Sequence, residues 1–573
     1  MKSWKKLIAM LLAAIMLLSM GACAAKETQT DTPAPAETQT DTPAPAETQT
    51  EETTTAPEET PAAEENTETA QTVEGPQYGG HLNLRIASKP SGLDPLKQTG
   101  IWKYPFTTCV YENALTRDTD NNICPGVCDF ELSDDMLTLK LWVRENMVFH
   151  NGDPVEITDV EASMQRAMKL YASFEKFVAP YVAGMEVDGD VLTITFTEYN
   201  EKLYYYIAAY QTWCAVMPQE ICEKYADDYI VDQIEDAIGT GPYRFTEFKD
   251  GESVTVEKWA DYVPQESDAT GYAGTKHAYL DSISFLYNGD DSSAGIALLS
   301  GEYDMVEVLA AEYADAAAAQ GIICEKLESN TGTGMSFNAA DGGNVCALYP
   351  SLRKAVMAAI DYEEFLQVVT DGCQVMGGQP VTDSIYATDV FVNADYYGAA
   401  NMDVVQKYLD EARAEGWNDE PVVIAVKSSQ TTIATLTTAY LDAAGIPYEL
   451  QSLEDSAYNE LIGDTANNWD LFFAWFNYSS SPTLIDSKLL YNRWINEEKD
   501  AVIEKMLQLI PGSPEYLELW NTLAEMMVDD CAFAYMSMIE WWWWHPETLH
   551  SNDEGLSRYV FNTYWDDPEN HTA

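Results

Sequence analysis

Histidine and cysteine most often carry metal or nucleophilic chemistry, and here their spacing supports neither. The six histidines are scattered, with no His-Glu-x-x-His. There is no Gly-x-Ser-x-Gly elbow and no Gly-x4-Gly-Lys-Ser/Thr loop. Cys23 apart, nine cysteines remain: Cys109, Cys124, Cys128, Cys214, Cys222, Cys324, Cys346, Cys373 and Cys531. Nine cannot all pair within one chain, so some disulfides and a fully reduced set both stay open. Cys124-x3-Cys128 lacks a second Cys or His pair at zinc spacing, and neither a metal nor a cofactor is expected. Asp118-x-Asp120-x-Asn122 begins like a calcium loop. Its sixth position is Ile123 where glycine is needed, and its twelfth is Asp129 rather than Glu, so it reads as a polar turn between two strands. His150 reads as a turn or packing residue, and 94 carboxylates are too many for a catalytic pair to stand out. The chain is not expected to be an enzyme.

The elements that must position any binding residues read as mixed α/β. His81–Ile86, Leu137–Val143 and Val191–Phe196 alternate apolar and polar residues as strands do. Thr158-x-x-Glu161 reads as a capping box ahead of Val160, Met164, Ala167 and Met168 at helical spacing. In the second half, Pro350-Ser351 opens a helix, Asp403–Gly416 forms another, Val422–Val426 is a strand, and Thr431–Ala444 is a helix stopped by Gly445. That rhythm predicts a three-layer lobe.

The chain has 573 residues and a formal net charge of −63, from 31 basic and 94 acidic side chains. Its 15 Trp, 34 Tyr and 17 Phe supply large cores, which excludes global disorder. A surface this acidic repels phosphate backbones and anionic lipid, so nucleic acid is not an expected partner. Solubility and a cationic ligand both stay open as reasons for the excess.

The charge is unevenly spread. Lys2, Lys5 and Lys6 precede an apolar run from Leu7 to Leu18, which suits an export signal over residues 1–22 and is short for a bilayer span. Gly21-Ala22-Cys23 resembles the lipobox of bacterial lipoproteins, with Met20 where Leu is usual; the resemblance implies lipidation at Cys23. After it, Asp-Thr-Pro-Ala-Pro-Ala-Glu-Thr-Gln-Thr occurs at 31–40 and again at 41–50. Residues 24–77 hold 13 acidic residues, one lysine and no aromatic, so 23–77 reads as an acylated, disordered acidic tether. The remaining −54 belongs to residues 78–573.

Several ordered segments of 78–573 then carry a resemblance. They are Tyr78-Gly79-Gly80 before Leu82–Ile86, Leu93-Asp94-Pro95, Val110–Leu115, Leu141–Gly152, Gly239-Thr240-Gly241-Pro242-Tyr243, and Leu352-Arg353-Lys354-Ala355 through Ile360-Asp361. Together they resemble the extracellular solute-binding proteins of ABC importers, in the oligopeptide/dipeptide/nickel-binding family. The resemblance implies an α/β, two-lobed periplasmic-binding-protein-like fold (type II, Venus-flytrap) with an extra subdomain on lobe one. Lobe one would combine about 78–114, 236–329 and 533–573, the extra subdomain about 115–235, and lobe two about 330–532. It further implies a monomer on the extracytoplasmic face, at the cell surface or in the periplasm, touching the membrane through its lipid alone. Such a protein captures a peptide or similar small solute by hinge closure and delivers it to an ABC permease.

Peptide-binding members of that family carry a Trp-x-x-Asp-Tyr-x-x-Pro segment whose Asp meets the ligand's amino group. Trp475-Phe476-Asn477-Tyr478-Ser479-Ser480-Ser481-Pro482 keeps the Trp and the Pro but has Tyr478 at the Asp position; the nearest carboxylates are Asp470 and Asp486. Trp475, Phe476, Asn477 and Tyr478 are therefore candidate contacts for a blocked peptide, an internal peptide segment or a neutral sugar, unless an acid from elsewhere replaces the Asp. Asn330 to Asn338, at the presumed crossing into lobe two, and Tyr535 with Trp541 of the run Trp541–Trp544 complete the set. A surface hydrolase or glycan-processing lipoprotein and a receptor for a peptide signal are the competing readings.

Overall fold

The computed structural model describes residues 75–572 apart from 97–103, 210, 228–230, 232, 308–310, 329–330, 341–343, 370–373, 379, 382–383, 464, 467, 478–480, 486–492, 539 and 552–558. The expected export signal, Cys23, nearly all of the expected tether, Asn330, Tyr478 and Asp486 lie outside the described residues. Among the described residues no helix is long and apolar enough to cross a membrane.

Strand β1 (His81–Ile86) buries Leu82, Leu84 and Ile86 on one face, as its alternation predicts. The next segment makes its own antiparallel sheet from β2 (Cys128–Leu132), β3 (Thr138–Val143), β4 (Val182–Asp188) and β5 (Val191–Phe196), in the order β2–β3–β5–β4. Helix α1 (Ile157–Leu170) lays Val160, Met164 and Ala167 on its core. The cap of α1 differs from the expected Thr158/Glu161 box. Glu156 is the N-cap and the Asp159 carboxylate accepts its backbone N–H at 2.8 Å, so the helix starts at Ile157. Asp118–Asn122 is the expected polar turn, between short strands at Leu115–Arg117 and Ile123–Pro125. A short helix, α2 (Glu201–Ile207), follows in this segment with Asn200 as its cap.

The chain then returns to β1. Strands β6 (Tyr243–Lys249), β7 (Ser253–Lys258) and β8 (Ser282–Tyr287) complete a four-stranded sheet in the order β1–β8–β7–β6, with β1 and β8 parallel. One face holds Leu82, Leu84, Ile283 and Phe285. Helix α3 (Asp291–Ser300) sits in a second, smaller cluster with Val306 and Trp544.

The second half is the three-layer unit that its rhythm predicts. Its strands are β10 (Thr331–Phe337), β11 (Gln374–Gly378), β12 (Val422–Lys427), β13 (Tyr448–Leu453), β14 (Leu471–Asn477) and β15 (Phe533–Met538), and β9 (Ile322–Glu328) leads into it. The sheet order is β11–β15–β10–β14–β12–β13. Helices α4 (Pro350–Ala359), α5 (Met402–Glu415) and α6 (Thr431–Ala444) cover one face, meeting Met335, Phe337, Ile424 and Phe473. Helix α7 (Pro514–Asp530) covers the other, with Trp520 and Leu523 packed in the cluster of Phe472 and Phe533. Strand β12 is buried at five consecutive positions because both of its faces are covered. Gly445 closes α6 in the left-handed conformation, φ 69°, as its position predicts.

One boundary moves. The resemblance puts Phe533–Met538 in lobe one, whereas this strand pairs with β10 and β11 inside the six-stranded sheet. The chain leaves that sheet at residue 539 and continues as β16 (Glu540–Pro546), which pairs antiparallel with β9. The reason is register: Ala534 faces Met335 and Ser537 faces Val375, so β15 cannot leave without breaking two ladders.

The eight described cysteines are all free thiols. Burial raises the thiol pKa of Cys109, Cys128, Cys214, Cys222, Cys346 and Cys531, which keeps them protonated.

Candidate functional site

The topology brings two sheet edges together. The chain passes between the sheets twice, from β9 to β10 and from β15 to β16. Strand β16 pairs with Val306, and Met305 pairs parallel with Leu84 of β1. Both crossings therefore leave at the edge where β1 and β8 end. On the other side they arrive where β12, β13, β14 and β15 end. Open α/β sheets bind ligands outside their carboxyl ends, so the space between these edges is the candidate site. The two sheets keep separate cores, which leaves a pair of units linked by two strands.

Two of the candidate segments meet here as neighbours. Asn477 lies opposite Thr331, Phe476 opposite Gly332, and Trp475 opposite Thr333, at the end of the β10–β14 ladder nearest the crossings. Trp541 lies opposite Leu327 on the other side of the crossings. The side chains of Trp475, Phe476, Asn477 and Trp541 are outside the described residues, as are Asn330 and Tyr478 altogether.

The remaining candidates are placed otherwise. Asn338 follows the far end of β10, about 20 Å of strand from Thr331. It is fully buried there; its Nδ2 donates to the carbonyls of Thr465 and Trp469 at 2.8 and 3.2 Å. It braces the opposite edge of the sheet. Tyr535 faces Gly334 in the ladder but has no exposed surface; its ring packs edge-on against Phe533, 5.9 Å away. The tryptophan run is a strand whose described rings alternate: Trp543 enters the core of the first sheet, while Trp542 and Trp544 join the cluster around α3. These three are packing residues.

Asp470, a carboxylate near the altered segment, is fully committed. It is buried, and its two oxygens accept backbone N–H groups from Cys346 at 2.8 Å and Val423 at 2.9 Å. Burial raises its pKa to about 6 against the pull of those bonds. It is not free to take the place of the missing Asp.

A buried polar contact that the sequence does not announce joins α2 to the six-stranded unit. The Glu201 carboxylate accepts the hydroxyls of Thr483 and, at 3.2 Å, Tyr516. Ser481 Oγ lies 2.6 Å from the same tyrosine oxygen. All four side chains are buried. Ser481 and Thr483 follow Tyr478 by three and five residues, so the segment that carries the candidate ligand contacts is pinned just past its end. A glutamate opening a short helix is ordinary, and only the tertiary fold brings it to its three hydroxyls.

His150 proves to be scaffold, as read. Its Nδ1 accepts the Gly239 N–H at 3.2 Å, which requires the Nε2–H tautomer, and Nε2 donates to the Gly241 carbonyl at 2.9 Å. Burial lowers its pKa to about 4, and protonation would put a proton where Nδ1 must accept. Because the folded value lies below the ordinary one near 6.5, this contribution to stability is present above about pH 6.5 and is lost as pH falls toward 4. NMR titration of the His150 ring is expected to give a midpoint near 4 and the Nε2–H tautomer below neutrality; a midpoint near 6.5 contradicts the clamp.

A separate small cavity, with room of about 30 Å³, is lined by Glu112, Arg144, Gln265, Tyr272 and Lys276 among others. None of its walls comes from the six-stranded unit. Its central charges are already paired, Lys276 to Glu112 at 2.7 Å with Thr240 on the second oxygen at 3.0 Å. Among the described residues no group of three or more His, Cys, Asp or Glu is arranged to hold a metal ion.

Comparison with known proteins agrees with this architecture. Residues 122–494 match the family model described as bacterial extracellular solute-binding proteins, family 5 middle. The oligopeptide-binding protein AppA of Bacillus subtilis is 20% identical over 521 residues, covering 85% of this chain and 90% of its own. The crystal structure of the ABC transporter substrate-binding protein CtaP of Listeria monocytogenes superposes with a TM-score of 0.71 at 18% identity, over 86% of this chain and all of that one. Bacillus subtilis AppA in complex with a nonapeptide gives 0.65 at 18% identity, over 86% and 100%. The fold is thus the two-lobed type II periplasmic-binding-protein architecture.

Proposed function

The chain belongs to the bacterial extracellular solute-binding proteins of family 5, and on that premise we propose that it is a lipid-anchored receptor that captures a peptide or similar small solute between its lobes and delivers it to an ABC import permease. The observation that carries this reading is the meeting of two carboxyl sheet edges at a double strand crossing, with the backbone of Trp475–Asn477 ending at that edge. A site that joins two units can close on a solute that touches both, and ligand then shifts the population toward the closed form. No covalent step is needed. The relatives named for oligopeptide binding and for a nonapeptide complex support a peptide as the solute class. The extracytoplasmic address rests on the export signal and on Cys23 in its lipobox-like context.

The ligand chemistry follows from what the altered segment lacks. With Tyr478 where an Asp is expected and Asp470 committed to backbone, a free ammonium finds no carboxylate in this segment. Amide and phenol groups serve neutral partners instead. In a thermal-shift screen of peptides, amino-acetylated peptides, oligosaccharides and nickel, acetylated peptides are expected to raise the melting temperature at least as much as free ones. Ligand at a hundred times its Kd adds about 2.7 kcal/mol. Tight binding of free-amine peptides alone, unweakened by Tyr478→Phe or Asn477→Ala, would overturn the reading of this segment.

A further inference from the structure

We propose that Glu201, with Thr483, Tyr516 and Ser481, is the contact that holds the cleft closed: a positioning residue on the extra subdomain that fixes the ligand-bearing segment and thereby sets how slowly bound solute leaves. The proposal deepens the functional reading above and rests on it for the word solute; the contact itself stands on geometry.

Three observations carry it. Glu201 begins α2, in a segment with its own sheet and its own core, whereas Ser481, Thr483 and Tyr516 belong to the six-stranded unit. The contact therefore bridges parts of the molecule that share no hydrophobic cluster. Next, it is polar yet dry: Thr483 and Tyr516 have no exposed surface and Glu201 retains 7%. A buried carboxylate is tolerated only where donors meet it, and here the donors come from the opposite unit. When the units part, water must replace these hydroxyls. The contact thus forms and breaks with closure, unlike the cores, which persist in both states. Finally, Thr483 lies five residues beyond Tyr478 in the same connection that follows β14. Fixing Thr483 against Glu201 limits where that connection can sit. A latch beside the ligand segment, rather than within it, changes residence time without contacting solute.

The test uses the full chain and three variants. Thr483→Val keeps the shape and removes the donor, Glu201→Ala removes the acceptor, and Glu201→Gln retains one acceptor oxygen as the conservative control. Amide hydrogen exchange of the free chain is read at 199–205 and 481–485. Both segments are expected to exchange at least fivefold faster in Thr483→Val and in Glu201→Ala, with Glu201→Gln between them and wild type, and with α1 and α4 unchanged. Peptides captured from a tryptic digest of casein, amino-acetylated after digestion, should dissociate about tenfold faster from Thr483→Val. Faster exchange confined to 199–205, or no change in either segment, overturns the latch, as does an unchanged dissociation rate. If wild type retains no casein peptide, the peptide reading fails while the exchange result still decides the latch.

Discussion

Replacing Arg166 with methionine is expected to destabilise the first lobe by about 3–5 kcal/mol, the range measured when one partner of a buried ion pair is removed. Arg166 projects from α1 of the extra subdomain to Asp94, in the loop that follows β1. Its guanidinium meets both carboxylate oxygens, at 2.5 and 3.4 Å, and its Nε donates to the Tyr225 carbonyl at 3.2 Å. Asp94 has no exposed surface, and one of its oxygens also accepts the Leu96 N–H at 2.9 Å. Methionine fills much of the same volume, so the loss is chiefly electrostatic: a buried carboxylate keeps one backbone donor and loses its counter-charge. The melting temperature of the transition that includes this lobe should fall by roughly 10 °C. The double variant Arg166→Met with Asp94→Leu removes both charges and should recover much of that loss, since apolar replacement of a whole buried pair is often neutral. A double variant no better than Arg166→Met would show that shape, not charge, is what the pair supplies.

Much of this architecture was legible in the sequence, and the exceptions share a cause. Local signals suffice where one face of an element is buried: alternation marks β1 and β5 to the residue, and Gly416 and Gly445 stop α5 and α6 where their positions predict. Periodicity reports burial, and burial was what these elements needed. The cap of α1 lies two residues before Thr158 because Glu156 and Asp159 act as a box with carboxylates on both sides, a rarer pairing than Thr with Glu. The place of Phe533–Met538 is not legible locally because strand pairing is long-range: nothing in that strand says that its partners are residues 334–336 and 374–378. The candidate site divides in the same way. Asn477 stands out by its place in the altered Trp–Pro segment and Thr331 only as part of the stretch Asn330 to Asn338 at the presumed crossing, and the ladder alone makes the two neighbours. Asn338 shares that strand's pattern but follows its far end, where its amide serves Thr465 and Trp469. The Glu201 contact had no local signature at all, because a buried carboxylate is recognised by its partners and not by its neighbours in sequence.

Substituting alanine for Gly239 is expected to cost more than about 4 kcal/mol, beyond the range of ordinary point mutations. The glycine-rich pentapeptide Gly239–Tyr243 returns the chain from the extra subdomain to β6 and crosses directly over the end of the helix at Tyr104–Val110. A Cβ at Gly239 would stand 2.1 Å from the Val110 carbonyl oxygen, and one at Gly241 would stand 2.5 Å from that of Cys109. The obstructing atoms are backbone, so relief requires the loop itself to retreat by about 1 Å, the difference from normal contact distance. That movement breaks the bond from the Gly241 N–H to the Val110 carbonyl, 2.9 Å, and pulls both His150 contacts apart. Three buried polar groups then lose partners together, each worth about 1–3 kcal/mol when left unsatisfied. Gly251→Ala is the informative control. Its φ of 71° disfavours a side chain, but the nearest atom to its Cβ is 3.8 Å away, so it should cost only about 1 kcal/mol. Thermal and urea unfolding of the two variants separates backbone conformation from close approach. Gly239→Ala within 1 kcal/mol of Gly251→Ala would mean that the loop has room to give. A large gap between them would mean that the glycines are kept for contact, and that the path from the extra subdomain to the first sheet is rigid enough for movement at α2 to be carried by the lobes as units.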